Sequence, residues 1–344
     1  MNTDKLYLYR CLELAKNGLG NVAPNPMVGC VIVLNDKILG EGYHQQFGEA
    51  HAEVNAINSV KNKELLSQST LYVNLEPCAH FGKTPPCADL IIKNNIKKVV
   101  IGCTDTYSEV AGKGIERLKN AGIEVVVGVL EEESIALNKR FFTFHNKKRP
   151  YIILKWAETN DGYIDIDHNG NEVDNWITSP LSKKLVHKWR SEEAAIMVGT
   201  NTALNDNPQL NVREWTGKNP LRLVLDLNLR LPTTLHLFDK KIPTLVFNYK
   251  KNSTEENLEL IQLNNSKPLV PQCLEVLHKK NIQSVIIEGG AKLLQSFITE
   301  GLWDEARVFI GNKTFNKGLK APQLNISPTS KEKISDDVLL IYKQ

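Results

Sequence analysis

The chain has 344 residues, 42% of them hydrophobic and 24% charged, which are the proportions of a soluble globular protein at a length that suits two cores rather than one. The formal net charge of +3 divides into −1 over residues 1–146 and +4 over the rest, and neither half holds the basic run that a nucleic-acid backbone demands. No apolar stretch approaches the roughly twenty residues of a membrane span, and the start Met1-Asn2-Thr3-Asp4-Lys5 lacks the apolar core of a secretory signal, so a cytoplasmic protein with neither nucleic-acid nor membrane partners is expected.

Leu6, Tyr7, Cys11, Leu14 and Ala15 recur at helical spacing, and Gly18 and Gly20 close that helix. The loop Ala23-Pro24-Asn25-Pro26-Met27-Val28-Gly29 follows, held extended by two prolines, with Asn25 offering a donor and an acceptor to a ring edge. From spacing alone a rigid turn fits equally well. Cys30 to Leu34 and Lys37 to Gly42 read as a hairpin about Asn35-Asp36, with His44 just beyond it. His51 opens a helix whose inner face is Ala52, Ala56, Ile57 and Val60. Leu71 to Leu75 is a strand, and Cys87 starts another helix. Lys98 to Gly102 and Ile123 to Val127 are strands flanking a helix over Gly114 to Asn120, and one helix is expected from Glu131 to Phe144. Strands alternating with helices imply a sheet covered by helices on both faces.

Chemistry concentrates in two places. His51-Ala52-Glu53 is followed about twenty-five residues on by Glu76-Pro77-Cys78-Ala79-His80-Phe81-Gly82-Lys83-Thr84-Pro85-Pro86-Cys87. One imidazole and two thiolates give a tetrahedral Zn²⁺ three ligands, His51, Cys78 and Cys87, and leave a fourth position for water, which is the mark of a catalytic site. Glu53, two residues from His51, is close enough to move protons without ligating the ion. His80 as a fourth ligand would instead close the site and make it structural, leaving Glu53 without a purpose. H-x-E with a later P-C…C is the layout of zinc nucleobase deaminases, but here eight residues rather than two separate the cysteines. Cys11, Cys30, Cys103 and Cys273 each fall in apolar runs and are read as core.

Asn146-Lys147-Lys148-Arg149-Pro150 reads as a linker between domains over 1–146 and 147–344. Beyond it, Tyr151 to Lys155, Ala194 to Val198, Leu221 to Asp226, Thr244 to Asn248, Ser284 to Glu288 and Ala306 to Ile310 are strands. Ser179-Pro180 is an N-cap and first-turn proline for a helix with Leu181, Leu185, Val186 and Trp189 as its buried stripe. Leu293, Leu294, Phe297 and Ile298 line another helix, and the polar stretch 252–271 is expected to be a loosely packed connection. No G-x-G-x-x-G follows a strand, so a Rossmann fingerprint is absent.

The run from Pro77 to Cys87 matches P-C-x-H-x-G-x-T-P-P-C at every fixed position, and so resembles the bifunctional riboflavin-biosynthesis deaminase/reductase family. Lys155-Trp156-Ala157 with Asp161-Gly162, Val198-Gly199-Thr200, the segment from Asp206 to Arg213 and Glu288-Gly289-Gly290 resemble its reductase half. The resemblance implies an N-terminal cytidine-deaminase-like α/β/α sandwich and a C-terminal dihydrofolate-reductase-like α/β domain. It implies hydrolytic deamination of 2,5-diamino-6-(5-phosphoribosylamino)pyrimidin-4(3H)-one, then NADPH-dependent reduction of the ribosyl group of 5-amino-6-(5-phosphoribosylamino)uracil to ribityl.

Carried over by position, Asn25, His44, Lys83 and Thr84 would contact the first substrate, the last two holding its phosphate. Ala157, Trp176, Thr202, Asp206 and the segment Gly290, Ala291, Lys292, Leu293, Leu294, Gln295 and Ser296 would face NADPH. Asp174, Arg190, Leu210, Arg213 and Glu288 would face the second substrate, the arginines as bidentate partners for phosphate. From the residues alone, each arginine reads rather as a surface ion pair and Trp176 as a core residue. Three positions depart from the family pattern: Asp105-Thr106-Tyr107-Ser108 stands for D-P-N-P, Asn160 for a leucine, and Asp174 for a serine. A homo-oligomer acting on a phosphorylated pyrimidine is expected. The rival reading, an RNA-editing zinc deaminase with an appended binding domain, needs a basic face with stacking aromatics, which the acidic first half does not offer.

Overall fold

The computed structural model describes residues 3–79, 85–106, 111–166 and 176–344. The chain divides into two compact units, Met1–Lys148 and Arg149–Gln344. In the first, α1 (Thr3–Lys16) precedes the hairpin β1 (Gly29–Leu34) and β2 (Lys37–Tyr43), then α2 (Ala52–Ser59), β3 (Thr70–Leu75), α3 (Cys87–Lys93), β4 (Lys98–Cys103), α4 (Lys113–Asn120), β5 (Glu124–Val127), α5 (Glu131–Leu137) and α6 (Lys139–Lys147). The sheet order is β2-β1-β3-β4-β5, with β1 antiparallel to both neighbours and β3, β4 and β5 parallel.

The two-residue alternation of the strands supplies both faces of this sheet. Cys30, Ile32, Leu71, Val73, Val99 and Ile101 pack with Ala52, Ala56 and Ile91 on one side. Val31, Val33, Tyr72 and Val100 pack with Leu8, Cys11 and Leu12 of α1 on the other. The result is the α/β/α sandwich that the alternation of elements implies. The expected helix over Glu131 to Phe144 is two helices, because Asn138, at φ −97° and ψ 23°, breaks the run. Asn is a poor interior helix residue, and the Asn138 side chain is engaged elsewhere.

The second unit contains β6 (Tyr151–Thr159), β7 (Tyr163–Asp165), α7 (Pro180–Glu192), β8 (Ala195–Gly199), α8 (Thr200–Asp206), β9 (Leu221–Leu225), β10 (Thr244–Asn248), β11 (Ser253–Glu255), β12 (Leu258–Gln262), α9 (Leu269–Lys279), β13 (Ser284–Glu288), α10 (Ala291–Thr299), β14 (Glu305–Gly311), β15 (Leu319–Lys320), β16 (Ser330–Ile334) and β17 (Asp337–Lys343). Ten strands form one mixed sheet in the order β11-β12-β10-β9-β8-β13-β6-β14-β17-β16. Ile152, Leu154, Met197, Leu223, Phe247 and Ile287 meet Leu274, Leu294 and Phe297 on one face, while Ile153, Ile286 and Phe309 meet Val186 and Trp189 of α7 on the other.

Three expectations change here. The stretch 252–271 is not a loose connection: β11 and β12 pair within it and extend the sheet edge. Leu181 is not in the buried stripe of α7, since it is 55% exposed at the first turn, although Ser179 caps the helix as expected by accepting from the Ser182 N–H. The linker also ends in an anchor, because Arg149 forms a two-pronged ion pair with buried Asp304. The terminal hairpin of β16 and β17 was not anticipated; its lysines and exposed residues hide the period-2 signal.

Candidate active sites

In the first unit, α2 packs directly on β2, which carries glycine at 40 and 42. A side chain at Gly42 would meet the Ala56 amide nitrogen at 2.4 Å, and one at Gly40 the Ala56 carbonyl at 2.6 Å. This close approach seats the middle and end of α2 directly on β2. His51 is the N-cap residue of α2, and Glu53 lies in its first turn. Strand β3 leads into Glu76-Pro77-Cys78, and Cys87 opens α3.

His51 Nδ1 lies 3.6 Å from Cys78 Sγ and 3.3 Å from Cys87 Sγ. The Cys87 amide donates to Cys78 Sγ at 3.3 Å, which favours a thiolate there. All three ligand atoms fall within 4.8 Å of one another, and no fourth His, Cys, Asp or Glu joins them among the described residues. A tetrahedral ion at ordinary Zn–S and Zn–N lengths sets N···S at about 3.5 Å, so the donor set fits zinc in both chemistry and spacing. His80, the candidate fourth ligand, lies outside the described residues, as do Lys83 and Thr84.

Glu53 is buried, and its carboxyl lies in the electrostatic reach of Cys78, His51 and Cys87. Burial, followed by the Cys78 charge, raises its pKa against the opposing pull of His51, the direction that suits a group which must both take and give protons near neutrality. Asn25 Nδ2 lies 3.1 Å from His44 Nε2, and His44 Nδ1 lies 3.0 Å from the Ala50 carbonyl. That carbonyl can only accept, so Nδ1 carries the proton and Nε2 accepts from Asn25. Burial lowers the His44 pKa, which keeps this neutral form. The Asn25 amide is thereby oriented with its carbonyl oxygen uncommitted to His44.

Three residues near this site were not singled out from the sequence. Glu76, 4% exposed, accepts backbone N–H bonds from Gly114 and Ile115 on Oε1 and from Gly112 and Asp105 on Oε2. It therefore ties the metal loop to the start of α4. Asn74 and Asn138, both fully buried, grip Met27 and Gly29. A polar residue inside an apolar strand, as at Asn74, and an asparagine inside a helical pattern, as at Asn138, were the available signals.

In the second unit, Gly289 and Gly290 adopt φ of 78° and 79°, and a side chain at Gly289 would meet Thr202 at 2.9 Å. Only glycine suits both positions, and the turn leaves backbone close to the start of α10, where a phosphate is favoured. Gly199, Thr202, Gly289, Gly290 and Leu293 converge there, a cradle fitting the pyrophosphate of a dinucleotide. Within the expected cofactor segment the residues divide. Ala291 and Lys292 open α10, while Leu294 is wholly buried in the core and presents no side chain to a ligand. Gln295 accepts from the Gln323 amide, and Ser296 donates to the Leu293 carbonyl. Ala157 is partly buried beneath α7, Asp206 ends α8, and Trp176 is 50% exposed with Lys183 Nζ 5.1 Å over its ring rather than in a core.

Arg190 does not offer its fork to a phosphate: Nε and Nη2 both bond the Glu288 carboxylate, and Nη1 bonds the Asn211 carbonyl. Lys155 Nζ stands 3.9 Å from the same carboxylate. Arg213 is exposed and bonds Asn211 through Nη1, and its amide donates to His187 Nδ1. Leu210 is buried at φ 51°. Asp174 and the departures at Tyr107 and Ser108 lie outside the described residues.

Residues 1–103 match the family described as cytidine and deoxycytidylate deaminase zinc-binding region, and residues 150–340 match RibD C-terminal domain. The chain is 40% identical to the riboflavin biosynthesis protein RibD of Aquifex aeolicus, covering 99% of this chain and 98% of that one. It is 35% identical to RibD of Escherichia coli, with coverage of 90% and 88%. Among solved structures it resembles the diaminohydroxyphosphoribosylaminopyrimidine deaminase/5-amino-6-(5-phosphoribosylamino)uracil reductase of Thermotoga maritima with a TM-score of 0.89 and 38% identity over 99% and 98% of the two chains. It resembles RibD of Acinetobacter baumannii at 0.87 and 34% over 98% of each.

Proposed function

The chain belongs to the RibD family of riboflavin biosynthesis proteins, and from that premise we propose how its residues divide two reactions, with residues 1–146 serving the deaminase and 147–344 the reductase. The protein is a bifunctional enzyme that deaminates a phosphorylated diaminopyrimidine and reduces the ribosyl group of the product, using Zn²⁺ and NADPH.

The observation that carries the deaminase assignment is a three-donor cluster of His51, Cys78 and Cys87 with buried Glu53 turned toward it. A zinc ion held there supplies Lewis acidity that makes water nucleophilic at neutral pH. Glu53 takes one proton from the attacking water and passes it to the ring nitrogen beside the amino-bearing carbon, then takes the second from the hydroxyl just added to that carbon and gives it to the leaving amine as the carbonyl forms. The carbon–nitrogen bond breaks, and ammonia departs. Asn25, held by His44, contacts the ring edge, and Lys83 and Thr84 grip the phosphate.

In the reductase, NADPH supplies hydride to the ribosyl C1. Gly289, Gly290 and Thr202 cradle its pyrophosphate, with Ala157, Trp176, Asp206 and the exposed residues of 290–296 about it. Arg190 and Glu288 act as one fixed unit at the substrate wall, with Leu210 and Arg213 serving the same substrate. Such chemistry asks the protein chiefly for alignment and exclusion of water.

No helix among the described residues is long and apolar enough to cross a membrane. A cytoplasmic homo-oligomer without nucleic-acid partners fits the small net charge. The test is incubation with the diaminopyrimidine phosphate with and without NADPH, following ammonia and NADPH absorbance separately. Ammonia should appear without NADPH, and NADPH should be consumed only after deamination. NADPH consumption with no ammonia would overturn the assignment of the first site.

A further inference from the structure

The loop bearing Asn25 contains little secondary structure, yet nearly every polar group along its far end is accounted for. The Met27 amide donates to Asn138 Oδ1 at 2.7 Å. Its carbonyl accepts from both Asn138 Nδ2 at 2.9 Å and Asn74 Nδ2 at 3.1 Å. Asn74 Oδ1 accepts the Gly29 amide at 2.7 Å, and the His44 amide bonds the Val28 carbonyl at 2.9 Å. Asn74 is 0% and Asn138 1% exposed.

Two primary amides buried in this way are costly unless every group is paired, and each here is paired with the same three-residue stretch. Apolar side chains would fill either position without that demand. Asn138 also interrupts a helix that would otherwise run on. The two side chains come from unrelated elements. Asn74 belongs to β3, the strand that continues to Cys78, so the bonds from Asn74 measure the substrate loop directly against the metal loop.

We infer that Asn74 and Asn138 are positioning residues that set the depth of Asn25 over the metal cluster, and so the angle at which the ring edge meets Glu53. This rests on the reading that Asn25 contacts the substrate. Displacement of a positioning contact by about 1 Å costs on the order of a hundredfold in rate.

The test compares Asn138→Ala, Asn74→Ala and Asn25→Ala in the full-length zinc-loaded enzyme, well below the melting temperature. The expected result for the first two is a ten- to hundredfold fall in kcat/KM for ammonia release. Zinc content and NADPH-dependent reduction of pre-deaminated substrate should be unchanged, and amide exchange should quicken at residues 27–29. Asn25→Ala separates the two ideas. If it leaves deamination intact, the reading of Asn25 fails and this inference with it. If it impairs deamination while Asn138→Ala and Asn74→Ala do not, the inference alone is overturned. Loss of zinc, a lowered melting temperature with kcat/KM intact, or failure of both variants to fold would each show a purely structural role and overturn it.

Discussion

Arg190 and Glu288 form a bidentate pair, Nη2 standing 2.7 Å from Oε2 and Nε 3.1 Å from Oε1, with both side chains nearly excluded from solvent. The pair joins α7 to the end of β13, beside the glycine turn that precedes α10. Breaking one partner leaves an uncompensated buried charge, which costs about 3–5 kcal/mol. Glu288→Ala is therefore expected to lower the thermal transition of the second unit by roughly 10 °C. The double variant Arg190→Met with Glu288→Leu should regain much of that stability without regaining reductase activity. Calorimetry of the parent and both variants, with a reductase assay of each, checks this, and equal stability losses in the single and double variants would refute it.

The same cluster predicts an acid response. Burial lowers the His187 pKa, and the Arg190 and Arg213 charges take it further, from 6.5 to about 4. Burial pushes the Glu288 carboxyl up, but the Arg190 and Lys155 charges outweigh this and bring it from 4.5 to about 2. Both groups bind a proton more readily in the unfolded chain. Their stabilisation is complete above pH 6.5; His187's share is lost as pH falls from 6.5 toward 4, and Glu288's from 4.5 toward 2. Melting temperature against pH should fall less steeply between pH 6.5 and 4 in His187→Gln than in the parent. Parallel curves would rule His187 out.

Glu53→Gln removes the proposed proton carrier and keeps the shape of the side chain. Ammonia release should fall by about 10²–10⁴-fold, while NADPH oxidation on pre-deaminated substrate continues at the parent rate. Simultaneous loss of both activities would show that the two sites are not separable.

Glu76 offers a test that does not depend on turnover. Glu76→Ala strips the acceptor from four backbone amides at the start of α4 and its preceding loop. Each unsatisfied buried amide costs about 1–3 kcal/mol, and Pro77 and Cys78 follow directly in the chain. The variant should melt earlier and yield zinc to a chelator at lower concentration. Zinc retention equal to that of the parent would confine Glu76 to local stability.

The zinc cluster was legible because soft ligands, prolines and a nearby carboxylate seldom share a polar loop for any other reason. The sheets were legible because Val31 and Ile32, or Val99 and Val100, face opposite cores in a period of two. What escaped was long-range. Nothing local to Arg190 announces that a carboxylate 98 positions away will occupy its fork. Asn138 looks like an ordinary surface position in a helix until its partner, Met27, is known 111 residues earlier. Leu181 follows the helical stripe in spacing yet sits in the first turn, where α7 has not reached the sheet. The turn before α10 was visible as Gly289-Gly290, but its contact with Thr202 was not.

The glycines at 40 and 42 act by what they lack. Strand β2 holds the middle and end of α2, at Asn55, Ala56, Ser59 and Val60, at a depth fixed by two missing methyl groups, so a change of one carbon on the outer strand would push back the helix whose first turn follows His51 and carries Glu53. The seat of that helix is thus written into an edge strand that supplies no donor atom, and damage there is expected to surface as a metal-handling defect.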